Sequence, residues 1–415
     1  MNQDRISHQE TTWMSPEWHA ARTPQLPALV MGHSGETVTY AQLDERSGRF
    51  AGALRARGLH VGDHIAILLG NERAFLEVAW AAQRAGLYYT AINSHLRSAE
   101  VQYVLDDCGA AALVSSSVVA DVVAGLDVSG LTVRVSTHGE LPGFEAYDDV
   151  LAASPPQFDN QCEGREMLYS SGTTGFPKGV RKPLPGVAFG DPTSVPAQIA
   201  AGLTAGGGAG AVYLCPAPLY HSAPLVGSMS WHRIGGTVVL MEKFDPHECL
   251  ELIERYRITD AQVVPTMFVR MLRLSDAERR RYDLSSLRKV LHTGAPCPVE
   301  VKRLMMDWWG PIIDEYYAGT EDLGATYISA QEWLAHPGSV GRPLNECHIV
   351  GLDGKDLGPG EVGVVYFAGG RPFEYHNDSR KTDLVANERG WRTLDDIGFL
   401  DEHGYLYLTD RQAHM

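Results

Sequence analysis

Buried strands and amphipathic helices alternate in the pattern of apolar and polar residues before residue 160. The run "HIAILLG" predicts a buried strand, and the apolar positions from Phe75 to Ala82 in the next segment, "NERAFLEVAWAAQRAGL", follow the helical period. Asn71 precedes this helix and is its predicted N-cap. The segments "YYTAIN", "SAEVQYVLDDCGA" and "AALVSS" then predict a strand, a helix and another strand.

A second alternating series occupies residues 211–318. Its predicted strands are "AVYLCPAPL", "GGTVVLM", "DAQVVP", "LRKVLHTG" and "PIIDEYYA", and its predicted helices include "TMFVRML" and "PVEVKRLMMDWW". A further helix, "DPHECLELIERYRI", has Asp245 as its N-cap, Pro246 at its first position and Glu248 at its third, which is the capping-box pattern. Together the two series predict an α/β fold of two sheets with helices on their faces.

The pattern changes near Pro337. From there, "CHIVGLDGKDLGPGEVGVVYFAGG" and "WRTLDDIGFLDEHGYLYLTDR" contain short alternating runs that are broken by Gly and Asp. Such runs are typical of antiparallel hairpins. We therefore predict two α/β subdomains in residues 1–336 and a small β-barrel-like lobe in residues 337–410.

The composition narrows the class of protein. With 415 residues, 44% of them hydrophobic, the chain can bury a large core. Its 35 basic and 51 acidic residues, a net charge of −16, argue against nonspecific nucleic-acid binding and against an anionic membrane surface. The six cysteines form no CxxC pair, which disfavours a zinc site or a disulfide framework, and the polar start "MNQDRISHQE" lacks a signal core. No stretch approaches the roughly 18 apolar residues of a membrane span, so we expect a cytoplasmic protein.

The segment "LYSSGTTGFPKGV" has the composition of a loop that holds phosphate. It differs from a Walker A loop because Pro177 precedes Lys178, Gly179 follows it, and no hydroxyl stands where that loop grips Mg²⁺. Pro183 and Pro185 disfavour a helix after it, so the strands "EMLY" and "GVRK" are predicted to flank a flexible loop. Hydroxyl donors, glycines and one lysine fit a polyphosphate, and the alternative is a solvated turn rich in Ser, Thr and Gly.

Four stretches, in order along the chain, resemble the acyl-adenylate-forming superfamily. They are "VTYAQLDERSGRFAGALRARGLHVGDHIAILLGN", "YSSGTTGFPKGV", "YYAGTED" and "WRTLDDIGFLDEHGYLYLTDR", and together they reach across nearly the whole chain. That family contains acyl-CoA synthetases, peptide-synthetase adenylation domains and luciferases. The resemblance implies that a carboxylate attacks the α-phosphate of ATP, with Mg²⁺ as cofactor, to give acyl-AMP and pyrophosphate. The thiol of CoA would then displace AMP.

The resemblance also implies roles for individual residues. The outer phosphates of ATP would contact Ser170, Ser171, Gly172, Thr173, Thr174, Gly175 and Lys178. The nucleotide would be lined by Tyr316, Tyr317, Ala318, Gly319 and Thr320, and the adenine by Gly294 and Ala295 of "HTGAPCP". In catalysis Lys178 would act with Thr320, which would donate to the α-phosphate, and with Glu321, which would place Mg²⁺. The alternative for Glu321 is an exposed loop acid.

The family's ribose motif, Thr-Gly-Asp-x-Gly, is changed in this chain. Residues 393–398 read "TLDDIG", and alignment on Gly398 makes Asp396 the ribose carboxylate and puts Asp395 in the place of glycine. Aspartate is among the few residues that tolerate a left-handed backbone. Arg411 matches the arginine that reaches the ribose in the family. The alternative for the two acids is a plain turn before a hairpin.

The segment "PLYHSAP" resembles the wall of the family's acyl pocket. Ser222 and Ala223 follow His221, so the acid that pairs with the ammonium group in amino-acid-activating relatives is missing, and a substrate without an α-amino group is implied. His221 is either a gate beside the substrate carboxylate, and hence a catalytic candidate, or a packed structural histidine. The glycines of "AGGGAG" and Gly227 predict space for a bulky or long acyl group, as in fatty-acyl or steroid-type acyl-CoA ligases.

The resemblance further implies a C-terminal domain of roughly 100 residues. Residues 411–415 match the start of the hinge that leads to it, so the chain is expected to be the large N-terminal domain, with little activity alone. The leading hypothesis is an ATP-dependent acyl-CoA ligase whose substrate is a fatty acid or a bulky hydrophobic, steroid-type acid without an α-amino group, and a homodimer is one possible assembly. The alternatives are a ligase that passes acyl groups to a carrier protein and a module that only binds nucleotide or acyl groups.

Overall fold

The computed structural model describes residues 13–155, 159–170 and 177–411. Its first elements are α1 (Pro16–Arg22), β1 (Pro27–Met31), β2 (Thr37–Thr39), α2 (Tyr40–Ala56), β3 (His64–Leu68), α3 (Arg73–Arg84), β4 (Tyr88–Ala91), α4 (Ser98–Cys108), β5 (Ala110–Ser115), α5 (Ala120–Val123), β6 (Val133–Ser136), β7 (Glu145–Ala146) and α6 (Tyr147–Ala152).

The middle of the chain contains β8 (Arg165–Glu166), β9 (Leu168–Ser170), β10 (Lys178–Arg181), α7 (Val195–Leu203), β11 (Val212–Cys215), α8 (Ser222–Arg233), β12 (Thr237–Leu240), α9 (Pro246–Arg255), β13 (Asp260–Val263), α10 (Pro265–Leu272), α11 (Asp276–Arg279), β14 (Lys289–His292), α12 (Val299–Trp309) and β15 (Ile313–Ala318). The last elements are β16 (Ala325–Ile328), α13 (Ala330–Ala335), β17 (Arg342–Pro343), β18 (Cys347–Val350), β19 (Gly363–Phe367), β20 (Glu374–Tyr375), α14 (Ser379–Leu384), β21 (Arg392–Leu400) and β22 (Leu406–Arg411).

Two large sheets confirm the predicted α/β fold. Among the described residues, one sheet has nine strands in the order β17-β16-β15-β14-β13-β11-β12-β1-β2, and the other has six in the order β7-β6-β5-β3-β4-β8. All neighbours in the six-stranded sheet are parallel, and so are the strands from β15 to β1 in the larger sheet. The carboxyl ends of β11, β13, β14 and β15 therefore lie along one edge.

The helices α3 and α8 share one hydrophobic core with strands of both sheets. Every residue of α3 after Arg73 is buried, as expected for a helix that is covered on all sides. Trp80 of α3 donates to Nδ1 of His232 in α8 at 3.0 Å, and burial lowers the pKa of His232 to about 4, so this ring is neutral. No helix in the described ranges is long and apolar enough to cross a membrane.

The prediction that Asn71 caps α3 is wrong. Glu72 is the N-cap residue, and the Asn71 side chain instead donates to the carbonyl oxygens of Ala217 (3.0 Å) and Met241 (2.8 Å). It also accepts a hydrogen bond from the amide of Leu219 at 2.8 Å. These three backbone partners follow β11 and β12, so the side chain joins the two sheets rather than ending its own helix.

The capping box predicted for α9 forms only in part within the described structure. Asp245 accepts from the amides of His247 (2.9 Å) and Glu248 (3.0 Å), and Pro246 takes the first helical position. The Glu248 carboxylate lies 3.2 Å from Nδ1 of His33 instead of returning to the cap. The N-cap is thus local, whereas the direction of Glu248 depends on a neighbour that is remote in the chain.

The strands after residue 337 belong to three different sheets. Four of them form the antiparallel sheet β18-β19-β21-β22 in the described structure. The short strand β17 instead pairs with β16 of the nine-stranded sheet, and β20 pairs with β10 in the sheet β20-β10-β9. The pairing of β20 with β10 matters for the site, because it places residues 374 and 375 beside β10, the strand that follows the predicted phosphate loop.

A buried ion pair joins segments from both halves of the fold. Both guanidinium NH groups of Arg233 bond to Glu163, each at 3.0 Å. The remaining capacity of this carboxylate is used by the amide of Gly190 at 2.7 Å and by the side chain of Gln83 at 2.5 Å. The two charged side chains are at most 3% exposed. The pair is therefore fully hydrogen-bonded, which is the condition under which a buried charge is tolerated.

Glu163→Ala should leave the Arg233 guanidinium buried without its carboxylate. We expect the free energy of unfolding to fall by about 3–5 kcal/mol, measured by urea unfolding with tryptophan fluorescence. The matched control is Glu145→Ala, which removes the 56%-exposed partner of Arg57. This control should cost less than about 1 kcal/mol. Equal losses in the two variants would show that the buried pair has no special structural role.

Candidate active site

Candidate residues from three motifs follow adjacent parallel strands. His221 comes after β11, Gly294 after β14 and Thr320 after β15. Because the carboxyl ends of these strands share an edge, the three motifs lie along the same side of the nine-stranded sheet. Ligands in open α/β sheets bind outside this edge. The order of the strands thus brings the predicted acyl, adenine and phosphate motifs to one side of the molecule.

The predicted phosphate loop lies between two paired strands, as expected. β9 and β10 are antiparallel, and Lys178 stands opposite Ser170. The side chain of Lys178 points over the ring of Tyr375, with Nζ 5.1 Å from the ring centre. The other predicted phosphate-binding residues lie outside the described residues: Ser171, Gly172, Thr173, Thr174 and Gly175.

A small hydrophobic cluster joins this hairpin to two other motifs. We call it the motif cluster; its members are Val180, Leu323, Phe373 and Tyr375, with Val385 and Leu394 packed against them. Val180 belongs to β10, directly after the predicted phosphate loop. Leu323 follows Glu321 by two residues, and Leu394 belongs to the predicted ribose motif. One patch of apolar contacts therefore sets the relative positions of three sequence motifs.

Glu321 is buried beside this cluster rather than exposed in a loop. Glu321 is 7% exposed, and its Oε1 accepts a hydrogen bond from the Tyr375 hydroxyl at 2.9 Å. Gly319 is required by close packing, since a Cβ there would stand 2.7 Å from Cδ1 of Leu394 and 2.9 Å from Oε2 of Glu321. Thr320, between them, is half-buried at the turn that follows β15.

The two acids of the ribose motif have different surroundings. Asp395 is exposed and has a φ of 63°, so it adopts the left-handed backbone expected where it replaces glycine. Asp396 is half-buried, and its Oδ2 accepts a hydrogen bond from the hydroxyl of Tyr317 at 2.6 Å. Its neighbour across the sheet in β22 is Arg411. The carboxylate of Asp396 is thus held against the "YYAGTE" motif, whereas that of Asp395 faces solvent.

The predicted adenine turn rests on a buried charged cluster. Gly294 has a φ of 86°, and both it and Ala295 are exposed. Two residues before Gly294, Nε2 of His292 lies 3.0 Å from Oε2 of Glu315, and Nζ of Lys302 donates to the same oxygen at 2.7 Å. Burial opposes ionisation of Glu315, but His292 and Lys302 outweigh it and lower the pKa of that carboxyl. The exposed turn thus follows a strand end, His292, whose ring faces the Glu315 carboxylate that Lys302 pairs with.

A hydrogen-bonded row crosses the sheet near the predicted acyl segment. Tyr213 of β11 donates to Oε1 of Gln262 in β13 at 3.1 Å, and Nε2 of Gln262 donates to the oxygen of Tyr316 in β15 at 2.7 Å. Burial raises the pKa of Tyr316 to about 12, so its hydroxyl stays protonated. His221 stands at the start of α8, exposed, with its ring 4.5 Å from that of Tyr220.

The expectation that Gly207 and Gly227 leave room for a long acyl group is corrected by their surroundings. A Cβ at Gly227 would stand 2.5 Å from Oε1 of Gln262, and one at Gly207 would stand 2.5 Å from the ring of Trp231. The rings of Trp231 and Tyr213 stack at 5.6 Å. The cavity left beside them is about 10 Å³, room for one water molecule. Gly207 and Gly227 therefore admit large neighbouring side chains, whereas a Cβ at Gly206, Gly208 or Gly210 would meet no atom within 4 Å.

Sequence reasoning missed the residues that connect the motifs. Tyr375, Gln262 and Tyr213 belong to no motif, and each bonds to a side chain that is distant in the chain. The alternation of Phe373, Glu374 and Tyr375 could have indicated a short strand, but not its pairing with β10. In the described part of the chain, no group of three or more His, Cys, Asp or Glu side chains forms a metal site by itself.

Known proteins share the sequence pattern and the fold of this chain. A family model described as AMP-binding enzyme matches residues 16–374. A feruloyl-CoA synthase from Amycolatopsis sp is 31% identical over 404 residues, 96% of this chain and 78% of that protein, and 4-coumarate–CoA ligase 1 from Oryza sativa subsp. japonica is 30% identical over 93% of this chain and 71% of that protein. The N-terminal domain of FACL13 from Mycobacterium tuberculosis shares the fold, with a TM-score of 0.79 at 24% identity over 95% of this chain and 98% of that one. The chain therefore belongs to the AMP-binding enzyme family, which confirms the predicted class of AMP-forming, acyl-activating ligase.

Proposed function

We propose that this protein is an acyl-CoA ligase for a compact, aryl-type carboxylic acid without an α-amino group. The observation that carries this proposal is the hydrogen-bonded row of Tyr213, Gln262 and Tyr316, which lies against Gly227 of α8. The finer expectation of a fatty or steroid-type acid depended on a set of glycines, and neighbouring side chains fill the space at two of them, Gly207 and Gly227. A compact acid requires no passage beyond this row.

Two features support a short acyl site. Tyr213 is 2% exposed and Gln262 is 7% exposed, so an alkyl chain that continued past them would have to displace buried, hydrogen-bonded side chains. Leaving such groups without partners costs about 1–3 kcal/mol each. The names of the similar feruloyl-CoA synthase and 4-coumarate–CoA ligase refer to aromatic acids, which fit the same size class.

The phosphate side supports activation by ATP. Attack of a carboxylate on the α-phosphate brings two anions together, so aimed donors and cations must offset their repulsion. Lys178, the first residue of β10, would present its positive charge to the outer phosphates, and Thr320 would donate a hydrogen bond to the α-phosphate. The motif cluster supports these roles, because it packs the lysine's strand against the segment that follows Thr320.

The residues present fit a magnesium ion that is shared with phosphate. Mg²⁺ in nucleotide sites is held by one or two carboxylates together with substrate oxygens, so no protein cage of several ligands is required. Glu321 offers a buried carboxylate, and one of its oxygens is already oriented by the Tyr375 hydroxyl. When bound, the ion would neutralise charge on the phosphates. The role of this chain would be to hold the Glu321 carboxylate where it can bind the ion.

The carboxylate of the acid would bind near His221. His221 stands at the N-terminus of α8, a 12-residue helix, and the dipole of a helix favours negative charge at that end. Ser222 and Ala223 provide no acid there for a substrate ammonium group. This arrangement supports His221 as a gate beside the substrate carboxylate and supports an acid that lacks an α-amino group.

Non-hydrolysable acyl-sulfamoyl adenosines that mimic acyl-AMP test the substrate class. Calorimetry with the cinnamoyl and palmitoyl analogues should show binding of the cinnamoyl analogue that is at least about tenfold tighter, a difference of 1.4 kcal/mol or more. Gln262→Ala, which interrupts the row, should narrow this difference in affinity, whereas Gln331→Ala, at an exposed position of α13, should not. Preferred binding of the palmitoyl analogue by the unaltered chain would contradict the proposal. Product that forms with acid, ATP and CoA, and not with a carrier protein, would identify CoA as the acceptor.

Asp396, rather than Asp395, should bind the ribose. Asp396→Ala removes a partly buried charged acceptor, and we expect AMP to bind about tenfold or more weakly in calorimetry. Asp395→Gly should be mild, because glycine accepts the left-handed backbone at this position. A larger loss for Asp395→Gly than for Asp396→Ala would show that the ribose motif is aligned one residue out.

A further inference from the structure

Tyr375 lies between β10, the strand that follows the predicted phosphate loop, and the turn that carries Glu321. It belongs to β20, whose pairing with β10 places Tyr375 opposite Val180, two residues after Lys178. The residue is buried, and its amide donates to Oγ1 of Thr382 at 2.8 Å. Its ring meets that of Phe373 edge to face at 5.3 Å. Backbone pairing, an amide bond and ring packing thus hold this side chain in one place.

Two charged groups of opposite sign contact the two ends of this side chain. The hydroxyl of Tyr375 donates to Oε1 of Glu321 at 2.9 Å, and Nζ of Lys178 lies 5.1 Å from the centre of the ring. A cation over the face of an aromatic ring is attracted by its quadrupole. A hydrogen bond to a buried carboxylate also fixes the direction of that group. A single tyrosine therefore contacts both charged side chains.

We propose that Tyr375 is a positioning residue for the polyphosphate of ATP. Its hydroxyl orients Glu321 toward the magnesium ion, and its ring holds the ammonium group of Lys178 on the same side, so that both act on one polyphosphate. This inference rests on the proposed roles of Glu321 and Lys178. It predicts that Tyr375 affects binding of Mg·ATP and leaves the binding of AMP, which lacks the outer phosphates, unchanged.

Tyr375→Phe tests the hydroxyl and keeps the ring. The variant should bind Mg·ATP about tenfold more weakly and require more Mg²⁺ for half-maximal ATP binding, because Glu321 loses the donor that orients it. Affinity for AMP should stay within about twofold. Tyr375→Leu removes the ring as well, so its loss for Mg·ATP should be larger. The matched control is Tyr407→Phe. Tyr407 belongs to β22, in a different sheet from Tyr375, and its hydroxyl lies 3.5 Å from Asp401. This variant should bind both ligands as the unaltered chain does.

Double-mutant cycles separate this inference from the roles on which it rests. Glu321→Gln and Lys178→Ala should each weaken Mg·ATP binding, and if neither does, the proposed phosphate site is wrong. If both do, Tyr375→Phe should add little in the Glu321→Gln background, and Tyr375→Leu should be less than additive with Lys178→Ala. Full additivity, unchanged Mg·ATP binding in Tyr375→Phe, or an equal loss for AMP would overturn the role of Tyr375. Thermal unfolding of each variant, with AMP as the reporter of the folded state, identifies any general loss of structure.

Discussion

The buried pair of Glu163 and Arg233 is the interaction on which the arrangement of the two large sheets depends. Arg233 ends α8, which packs on the nine-stranded sheet, and Gln83 of α3 adds a bond from the side of the six-stranded sheet. Two charges in a core must satisfy each other and must use their remaining hydrogen-bonding capacity. The amide of Gly190 completes this requirement. Few relative positions of the two helices satisfy all these bonds, so the pair helps to specify how the halves meet.

This junction supports a site at the carboxyl edge of parallel strands. The strands themselves are largely buried, while Gly294, Thr320 and His221 come from the segments that follow them. The division is a physical one: the sheet supplies fixed positions, and the turns supply backbone and side chains that reach a ligand. Asn71 contributes to the same edge, because its side chain bonds to backbone after β11 and β12.

The motif cluster has a different function from the main core. It is small, yet it packs together β10, the segment after Glu321 and the predicted ribose motif. Tyr375 gives the cluster a polar end, since its ring packs among apolar side chains while its hydroxyl reaches Glu321. A side chain with one apolar body and one polar tip is suited to such a boundary. Hydrophobic packing and placement of charge are in this way carried by the same few residues.

The sequence by itself determined the α/β class, the strands that flank the phosphate loop and the family. These follow from local properties: the period of apolar residues, the prolines after Lys178, and motifs such as "YYAGTE" whose members are neighbours in the chain. It also anticipated that Asp395 would accept a left-handed backbone, because that preference is local. Tertiary structure alone decided that Asn71 joins sheets instead of capping α3 and that Gly227 admits the side chain of Gln262. It also decided that Tyr375 reaches Glu321. Each of these contacts joins segments far apart in the chain, and local pattern carries no information about which distant group will arrive.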